Sequence, residues 1–199
     1  MAKVLNLISS PRGAESTSIK LANVIIDKIK AADPDAVIID RNLTQDPYPH
    51  LDSPEMNSFF TPAEYLTPEQ KNLLISSDTA TAELLDADII IIGAPMYNFT
   101  VSSYLKTYMD RVARAGVTFR YTENGPEGLL KNKKAYIVAA TGSLITLPEM
   151  QKYDFVVPFV KTFLEFIGIT DISVFRVEGL AIPGIKETAL EQAIEKVSL

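Results

Sequence analysis

The sequence contains no cysteine and no tryptophan, and it has a single histidine among its 199 residues. Without cysteine there is no disulfide, no thiolate nucleophile, and no thiolate ligand for zinc or for an iron–sulfur cluster. The one histidine, His50, has no partner for a two-histidine metal site, and a histidine-based catalytic triad is disfavoured. These absences exclude most catalysis that relies on protein side chains, and we expect no metal site.

Strong net charge and long apolar runs are also missing. The 19 Lys and Arg residues against 25 Asp and Glu residues leave a net charge of −6, which argues against a protein that binds the nucleic-acid backbone. The longest strongly apolar run is Ile89 to Ile92, far shorter than the roughly 20 residues of a membrane span. The N-terminal residues lack the long apolar segment of a secretory signal. We therefore expect a cytoplasmic protein with no nucleic-acid or membrane partner.

Apolar runs and helical periodicities alternate along the chain. Five short apolar runs predict buried strands, at 4–8, 36–40, 89–92, 135–140 and 172–177. Apolar residues at helical spacing predict the intervening helices, at about 19–29, 68–85, 104–112, 155–167 and 187–197. Continuous apolar strands that alternate with helices are typical of a parallel sheet covered on both faces. Because crossovers are right-handed, these elements predict an α/β fold with a doubly wound five-stranded sheet in the order 2-1-3-4-5.

No internal repeat or linker divides the chain, so we expect one domain over residues 1–199. The stretch at about 42–67 contains four prolines and four aromatic residues, and we expect it to be an irregular loop. A long loop in a compact domain is usually a lid, a binding loop or an interface. His50 lies in this stretch next to Pro49, where a surface or interface position is favoured over a catalytic one.

Small polar residues and sharp turns follow three of the predicted strands, where ligands of parallel sheets bind. The segment from Ser9 to Ser18 has neither a dinucleotide-binding glycine pattern nor a P-loop. Its hydroxyl groups, at the start of a helix, predict either a phosphate site or ordinary helix capping. The third strand ends in Gly93–Phe99, which suits a flat, partly apolar ligand such as an isoalloxazine ring, or else a tightly packed turn. The fourth ends in Thr141–Ser143, and three such ends at one sheet edge favour a ligand site.

Taken together, these segments resemble the FMN-dependent NADH-azoreductase family, also described as FMN-dependent NADH:quinone oxidoreductases. The resemblance spans nearly the whole chain and rests on Ser10 with Ser16–Ser18, on Ala94–Phe99, on Ala113–Leu129 and on Phe163–Ile169. The run Gly116–Leu129, GVTFRYTENGPEGL, is too long for chance similarity. The resemblance implies a flavodoxin-like homodimer with two FMN sites at the dimer interface.

The resemblance also implies the residues of the site. Four hydroxyl residues are expected to hold the FMN phosphate, namely Ser10, Ser16, Thr17 and Ser18. Two turns are expected to lie against the flavin ring. The first lines the ring, with Asn98 at its polar edge, and consists of Pro95, Met96, Tyr97, Asn98 and Phe99. The second approaches the pyrimidine side of the ring and consists of Thr141, Gly142 and Ser143. Phe119, Tyr121 and Phe163 match aromatic positions near the substrate pocket, although Phe163 equally suits core packing. Family members often have glycine in place of Ser143 and a polar or basic residue in place of Thr141. A serine would be strained there if the position requires a positive φ.

The implied function is a two-electron reduction. A hydride passes from NADH or NADPH to bound FMN, and then to a quinone or an aromatic azo compound that enters the same pocket, in ping-pong fashion. Because the cofactor supplies the chemistry, an enzyme can function without cysteine and with one histidine. The alternative is a flavodoxin-type FMN electron carrier that passes single electrons to a protein partner. Hydrolysis is disfavoured, because the chain has no G-x-S-x-G elbow and no plausible metal-ligand cluster.

Overall fold

The computed structural model describes residues 1–199. It contains seven strands and six helices, which follow one another as β1 (Lys3–Ile8), α1 (Thr17–Ala32), β2 (Val37–Asn42), α2 (Ser53–Phe60), α3 (Pro68–Asp86), β3 (Ile89–Pro95), α4 (Ser103–Val112), β4 (Phe119–Thr122), β5 (Gly125–Gly128), β6 (Lys134–Ala140), α5 (Val157–Ile167), β7 (Asp171–Val177) and α6 (Ala189–Glu195). None of the helices has the length and apolar character needed to cross a membrane.

Five of the strands form a parallel sheet in the order β2-β1-β3-β6-β7. In terms of the five predicted strands this order is 2-1-3-4-5, so the predicted doubly wound topology is confirmed. The chain moves from β1 outward to β2 and then returns to β3 on the other side of β1. The carboxyl ends of β1 and β3 therefore form the topological switch point, where ligands of such sheets bind.

The sheet separates two apolar cores, and this explains why its strands are continuous apolar runs. Side chains of α3, α4 and α5 cover one face, and those of α1 and α6 cover the other. Within β3, Ile90 and Ile92 belong to the first core and Ile91 to the second. Since successive residues of a strand point to opposite faces, a strand that is buried on both sides is apolar at every position.

The segment at about 42–67, expected to be an irregular loop, contains helix α2 and a single 3-10 turn at Ala63–Tyr65. The side chain of Asp52 caps α2 by accepting a 2.9 Å hydrogen bond from the Glu55 amide, and Pro54 lies in its first turn. The expectation is therefore corrected for these residues. Aspartate followed by an early proline is an ordinary helix-start signal, but the high proline and aromatic content of the segment masked it.

A two-stranded antiparallel hairpin, β4–β5, stands apart from the main sheet and was not predicted. Its base packs against the C-terminal end of α5 through two glycines. A Cβ atom on Gly128 would overlap the backbone of Gly168, which itself has a left-handed φ of 105°. The Leu130 amide also donates a 2.9 Å hydrogen bond to the Ile167 carbonyl. Backbone thus lies directly against backbone at this junction, with no room for a side chain.

Candidate functional site

A cleft of 200 Å³ lies at the switch point, where the carboxyl ends of β1, β3 and β6 meet. Eight residues expected to contact the flavin line it, namely Ser10, Ser16, Thr17, Pro95, Met96, Tyr97, Thr141 and Gly142. The other four, Ser18, Asn98, Phe99 and Ser143, adjoin these in the chain without lining the cleft. The structure therefore brings three separate turns together at one edge of the sheet, as the strand-end argument predicted.

Four residues that the sequence analysis missed also line the cleft: Arg12, Ala140, Leu180 and Ala181. Leu180 and Ala181 follow β7, the fifth strand of the sheet, so the strand-end rule could have identified them. Arg12 is the only charged side chain of the cleft, which contains no acidic residue and no histidine. The site is therefore suited to an anionic ligand, and it offers no carboxylate or imidazole for acid–base chemistry.

The N-terminus of α1 presents unused hydrogen-bond donors. The amides of Thr17, Ser18 and Ile19 donate to no acceptor in the chain. Ser16 is in the capping position, but its side chain caps no amide and instead shares a 3.0 Å hydrogen bond with the Ser18 hydroxyl. Ordinary capping, the alternative for these hydroxyls, is therefore not what they do. Free amides at the positive end of a helix dipole form an anion-binding site.

The hydroxyls beside this helix start are almost completely buried and fix the two strands of the switch point. Ser9 donates a 2.6 Å hydrogen bond from Oγ to the Gly93 carbonyl, which connects the end of β1 to β3. Ser10 Oγ lies 3.4 Å from Tyr97 Oη and so links the segment that follows β1 to the turn after β3. A Cβ atom on Gly93 would lie 3.3 Å from the Leu7 carbonyl oxygen, so the close approach of the strands favours glycine.

The turn after β3 has a strained backbone. Tyr97 and Thr100 pair in both directions, with N···O distances of 2.9 Å from Tyr97 N and 3.2 Å from Thr100 N. Between them Asn98 and Phe99 have φ values of 48° and 76°, as in a type I′ hairpin turn. Asparagine tolerates this conformation, whereas in phenylalanine it costs about 1–3 kcal/mol. The Phe99 side chain is nevertheless 55% exposed, so the strain is not repaid by burial within the chain.

The strained turn is supported by the connection between β6 and α5, residues 141–156. The Phe155 amide donates a 3.2 Å hydrogen bond to the Phe99 carbonyl, and the ring of Tyr153 lies 5.7 Å from that of Phe99, centroid to centroid. All three aromatic side chains are exposed. They form an apolar surface directly beside the cleft, of the kind that marks a ligand or protein contact.

The turn after β6 is held by the segment that follows β7. The Thr141 amide donates to the Val177 carbonyl at 2.9 Å, and the Ala181 amide donates to the Gly142 carbonyl at 3.0 Å. Ser143 is not among the residues with positive φ, so serine is unstrained at this position. The expected conflict at the position where relatives often have glycine is therefore absent.

The three residues expected near a substrate pocket do not line the cleft. Phe119 is buried, with its ring 4.5 Å from that of Phe166 and 5.4 Å from that of Tyr121. Tyr121 is 74% exposed on the hairpin. Phe163 packs against the core formed by α3, α4 and α5. For Phe163 this supports the alternative of core packing, whereas Tyr121 is free to contact another molecule.

A larger groove of 490 Å³ runs between β7 and α6, and it includes Arg176, Glu178 and Lys196. It contains none of the residues expected to form the site. We place the functional site in the smaller cleft, because the free helix amides and the strained turn border it. Both features are unfavourable in isolation, and contacts with a bound ligand would compensate for them.

The sheet order and the anion-binding helix N-terminus at the β1–β3 switch point define a protein of the flavodoxin-like class. In agreement, residues 2–199 match the protein family described as the flavodoxin-like fold. The FMN-dependent NADH:quinone oxidoreductase of Herminiimonas arsenicoxydans is 48% identical over 91% of this chain and 89% of its own. FMN-dependent NADH:quinone oxidoreductase 6 of Burkholderia lata is 45% identical over 100% of this chain and 99% of its own. The chain belongs to the FMN-dependent NADH:quinone oxidoreductase family.

Solved structures agree with this assignment. The azoreductase of Bacillus anthracis strain Sterne superposes with a TM-score of 0.91 at 28% identity and covers 98% of this chain and 96% of its own. An FMN-dependent NADH-azoreductase from the Ames Ancestor strain, solved in complex with FMN, has a TM-score of 0.87 at 26% identity, with 98% and 97% of the two chains covered.

Proposed function

We propose that this chain binds FMN in the cleft at the switch point and transfers a hydride from NADH or NADPH to quinones and aromatic azo compounds. The observation that carries the proposal is the combination of free α1 amides with hydroxyls that do not cap them. Such donors favour a phosphate group, and they lie next to a turn suited to a flat ring. Family membership supports the same cofactor, donor and acceptors.

The phosphate end of the cofactor fits the start of α1. The amides of Thr17 and Ser18 are free to donate. Because Ser16 and Ser18 share one hydrogen bond, one of their two hydroxyl hydrogens also remains available, and the Ser10 hydroxyl has only two long contacts of 3.4 Å, with Tyr97 Oη and the Arg12 amide. Arg12 lines the same cleft and forms no ion pair in the chain, so its charge is available to a phosphate. No lysine lines the cleft, which suits a phosphate monoester that is held in place and not transferred.

The ring end of the cofactor fits the turns after β3 and β6. Pro95, Met96 and Tyr97 supply one wall, and Thr141 and Gly142 supply the other. Bound FMN accepts and returns a hydride, and this is chemistry that no side chain of the cleft offers. The protein's own contribution is to orient the ring, to hold it between the two turns, and to leave one side open to the donor and the acceptor.

A single cleft of 200 Å³ is smaller than the roughly 300–1,000 Å³ of ordinary ligand pockets. We therefore propose that the donor and the acceptor occupy it in turn, in ping-pong order, and that a second copy of the chain completes its walls. A homodimer also gives the exposed Tyr121 a role, because this side chain does not line the switch-point cleft of its own chain. Size-exclusion chromatography with light scattering should give twice the monomer mass of 21.9 kDa, and a monomer that retains full activity would contradict the dimer.

Anaerobic titration tests the reaction. Purified protein loaded with FMN should lose its visible absorption on addition of one equivalent of NADH and regain it when a quinone is added. NADPH in a parallel titration gives the donor preference. If flavin binds but neither nucleotide bleaches it, the proposed enzymatic activity is refuted. If the protein bound FMN and exchanged electrons only singly with a protein partner, it would be the flavodoxin-type carrier.

Initial rates distinguish the order of the two half-reactions. Varying NADH at several fixed quinone concentrations should give parallel lines in a double-reciprocal plot. Intersecting lines would show that donor and acceptor are bound together, and this would contradict alternate use of one pocket.

A further inference from the structure

Two charged side chains near the carboxyl end of β7 hold the β6–α5 connection at two points. Arg176 Nη2 donates a 2.7 Å hydrogen bond to Asp154 Oδ2. Thr146 donates a 2.6 Å hydrogen bond from Oγ1 to Glu178 Oε2. The β6–α5 connection is therefore attached to the end of β7 at two points, Thr146 near the start of the connection and Asp154 near its end. The side chains that make these attachments lie outside the cleft.

The guanidinium of Arg176 joins these two attachments. While Nη2 contacts Asp154, Nη1 lies 3.7 Å from Glu178 Oε1. The three side chains are largely buried, with exposed fractions of 22% for Arg176, 9% for Asp154 and 12% for Glu178. A planar guanidinium reaches two carboxylates at once, which the single ammonium of lysine does less well. Without it, two partly buried carboxylates would remain without a counter-charge.

Asp154 transmits the position of Arg176 to the chain around it. Its second carboxylate oxygen, Oδ1, accepts hydrogen bonds of 3.1 Å from the amides of Val156 and Val157, at the start of α5. The carboxylate is thus fixed on three sides, by one guanidinium and two amides. The neighbours of Asp154 are Tyr153 and Phe155, the two residues that contact the strained turn at Phe99.

Arg176 therefore lies at the base of both turns expected to face the flavin ring. Through Asp154 it supports the turn at Asn98–Phe99. Through Glu178 and Thr146 it restrains the segment that follows the turn at Thr141–Ser143. The phosphate end of the site is built on β1 and α1, and no hydrogen bond connects it to Arg176, Asp154 or Glu178. Arg176 itself lines the groove between β7 and α6 and not the cleft.

We propose that Arg176 is a positioning residue for the ring half of the flavin site. It touches neither cofactor nor substrate; it sets the separation of the two turns between which the ring is held. This role rests on the proposed function, because it requires that the cleft bind a flavin. Displacements of about 1 Å in such supporting groups are enough to weaken a site by one to two orders of magnitude.

Flavin binding by apoprotein measures this role directly. For Arg176→Ala we expect the dissociation constants of FMN and of riboflavin, which lacks the phosphate, to rise by the same factor of about 10–100. The visible circular dichroism of bound FMN should also change, because the ring is held differently. Arg176→Lys should recover part of the affinity. Asp154→Asn, which retains the shape of the side chain, should shift both dissociation constants in the same direction as Arg176→Ala.

A matched control separates positioning from general stability. Arg41 of β2 pairs with Glu83 of α3 at comparable burial, with exposed fractions of 22% and 18%, and neither residue lines the cleft. Arg41→Ala should lower the melting temperature about as much as Arg176→Ala and leave both flavin dissociation constants unchanged. If Arg41→Ala weakened flavin binding equally, the effect would be one of stability and the positioning role would be refuted.

The remaining outcomes distinguish this proposal from the function on which it rests. Ser18→Ala should weaken FMN but not riboflavin. If it does so while Arg176→Ala shifts neither dissociation constant nor the circular dichroism, the phosphate site stands and the role of Arg176 is refuted. If the wild type binds neither flavin, the proposed function is refuted and the positioning role with it.

Discussion

The hydroxyl oxygens of Ser16 and Ser18 lie 3.0 Å apart and share a hydrogen bond, although Ser16 is placed to cap α1. The side-chain oxygen of a serine at the start of a helix normally accepts a hydrogen bond from an amide two or three residues further on, and replacing the serine by alanine typically costs about 1 kcal/mol. Here the two hydroxyls bond to each other, and the amides remain free. The helix start is thus arranged for an external acceptor.

Ser16→Ala loses no cap, but it does lose the buried hydrogen bond to Ser18, so the free energy of unfolding of the apoprotein should fall by about 1 kcal/mol. It should raise the dissociation constant of FMN by about 10–100-fold, as expected for one hydrogen bond to a charged group, and leave that of riboflavin unchanged. Isothermal titration with both ligands and chemical denaturation measure the two effects. Thr67→Ala is the matched control, because Thr67 does cap α3 through the Gln70 amide. It should lose about 1 kcal/mol without any effect on FMN.

The protein should be more stable with glycine at position 99 than with alanine there. Both changes remove the ring, but only glycine relieves the φ of 76°, so Phe99→Gly should exceed Phe99→Ala by about 1 kcal/mol in the free energy of unfolding. Both should weaken flavin binding. At Phe155, whose φ is not positive, the order should reverse, with alanine more stable than glycine. The same order at both positions would mean that the turn is not strained.

Tyr121→Ala should raise the KM for a quinone by about 2–10-fold, the usual contribution of one aromatic contact, while the FMN dissociation constant stays within error. We expect this because Tyr121 lies outside the cleft of its own chain, and the proposed dimer would bring it to the acceptor from the second subunit. Arg120→Ala, which breaks the exposed 2.8 Å pair with Glu127 on the same hairpin, should change neither constant. An unchanged KM in Tyr121→Ala would show that the hairpin does not approach the acceptor.

Tyr108→Phe should stabilise the protein by about 1 kcal/mol at neutral pH, because the buried Tyr108 hydroxyl has no hydrogen-bond partner. Tyr65→Phe, which removes an exposed hydroxyl, should have no effect at neutral pH. Denaturant titration measures both variants.

The Tyr108 side chain also determines how the free energy of unfolding should change at alkaline pH. Burial raises the pKa of Tyr108 well above its ordinary value of 10.0. As the pH rises past about 10, the unfolded chain releases this proton and the folded protein retains it. The contribution of Tyr108 to the free energy of unfolding is therefore complete below the pKa that this residue has in the unfolded chain. It is lost by about 1.4 kcal/mol per pH unit as the pH rises from there towards the pKa of Tyr108 in the folded protein. Tyr108→Phe should lack this component, and its advantage over wild type should grow above pH 10. An advantage that shrinks there would contradict the assignment.

Much of the fold follows from local sequence signals. Thr67 followed by Pro68 is a helix-start signal at the beginning of the helix expected over about 68–85, and the structure has the full capping box there. The apolar strands predicted a sheet covered on both faces, and their order is confirmed. The hairpin β4–β5 and helix α2 were missed for different reasons. The hairpin strands are only four residues long, and α2 is hidden in a segment whose prolines suggest irregular structure.

The location of the candidate site could be predicted from the sequence, because the ends of the strands could be predicted. The three turns that follow β1, β3 and β6 meet as expected, whereas the conformation of Phe99 leaves no trace in the sequence, because phenylalanine has no preference for a positive φ. The partners of Arg176 were equally hidden. A charged residue within an apolar strand is visible, but Asp154 is 22 positions away, and only the folded chain shows that the two meet. Phe163 shows the converse: its helical spacing already suited the core, and the structure places it there.

The contact between Gly128 and Gly168 limits how this protein can change over evolutionary time. Since neither residue can acquire a side chain without separating the hairpin from α5, the base of the hairpin is fixed. Its tip, by contrast, is exposed at residues 121–124. New acceptor preferences should therefore arise through substitutions and length changes near residues 121–124, with the base inherited unaltered.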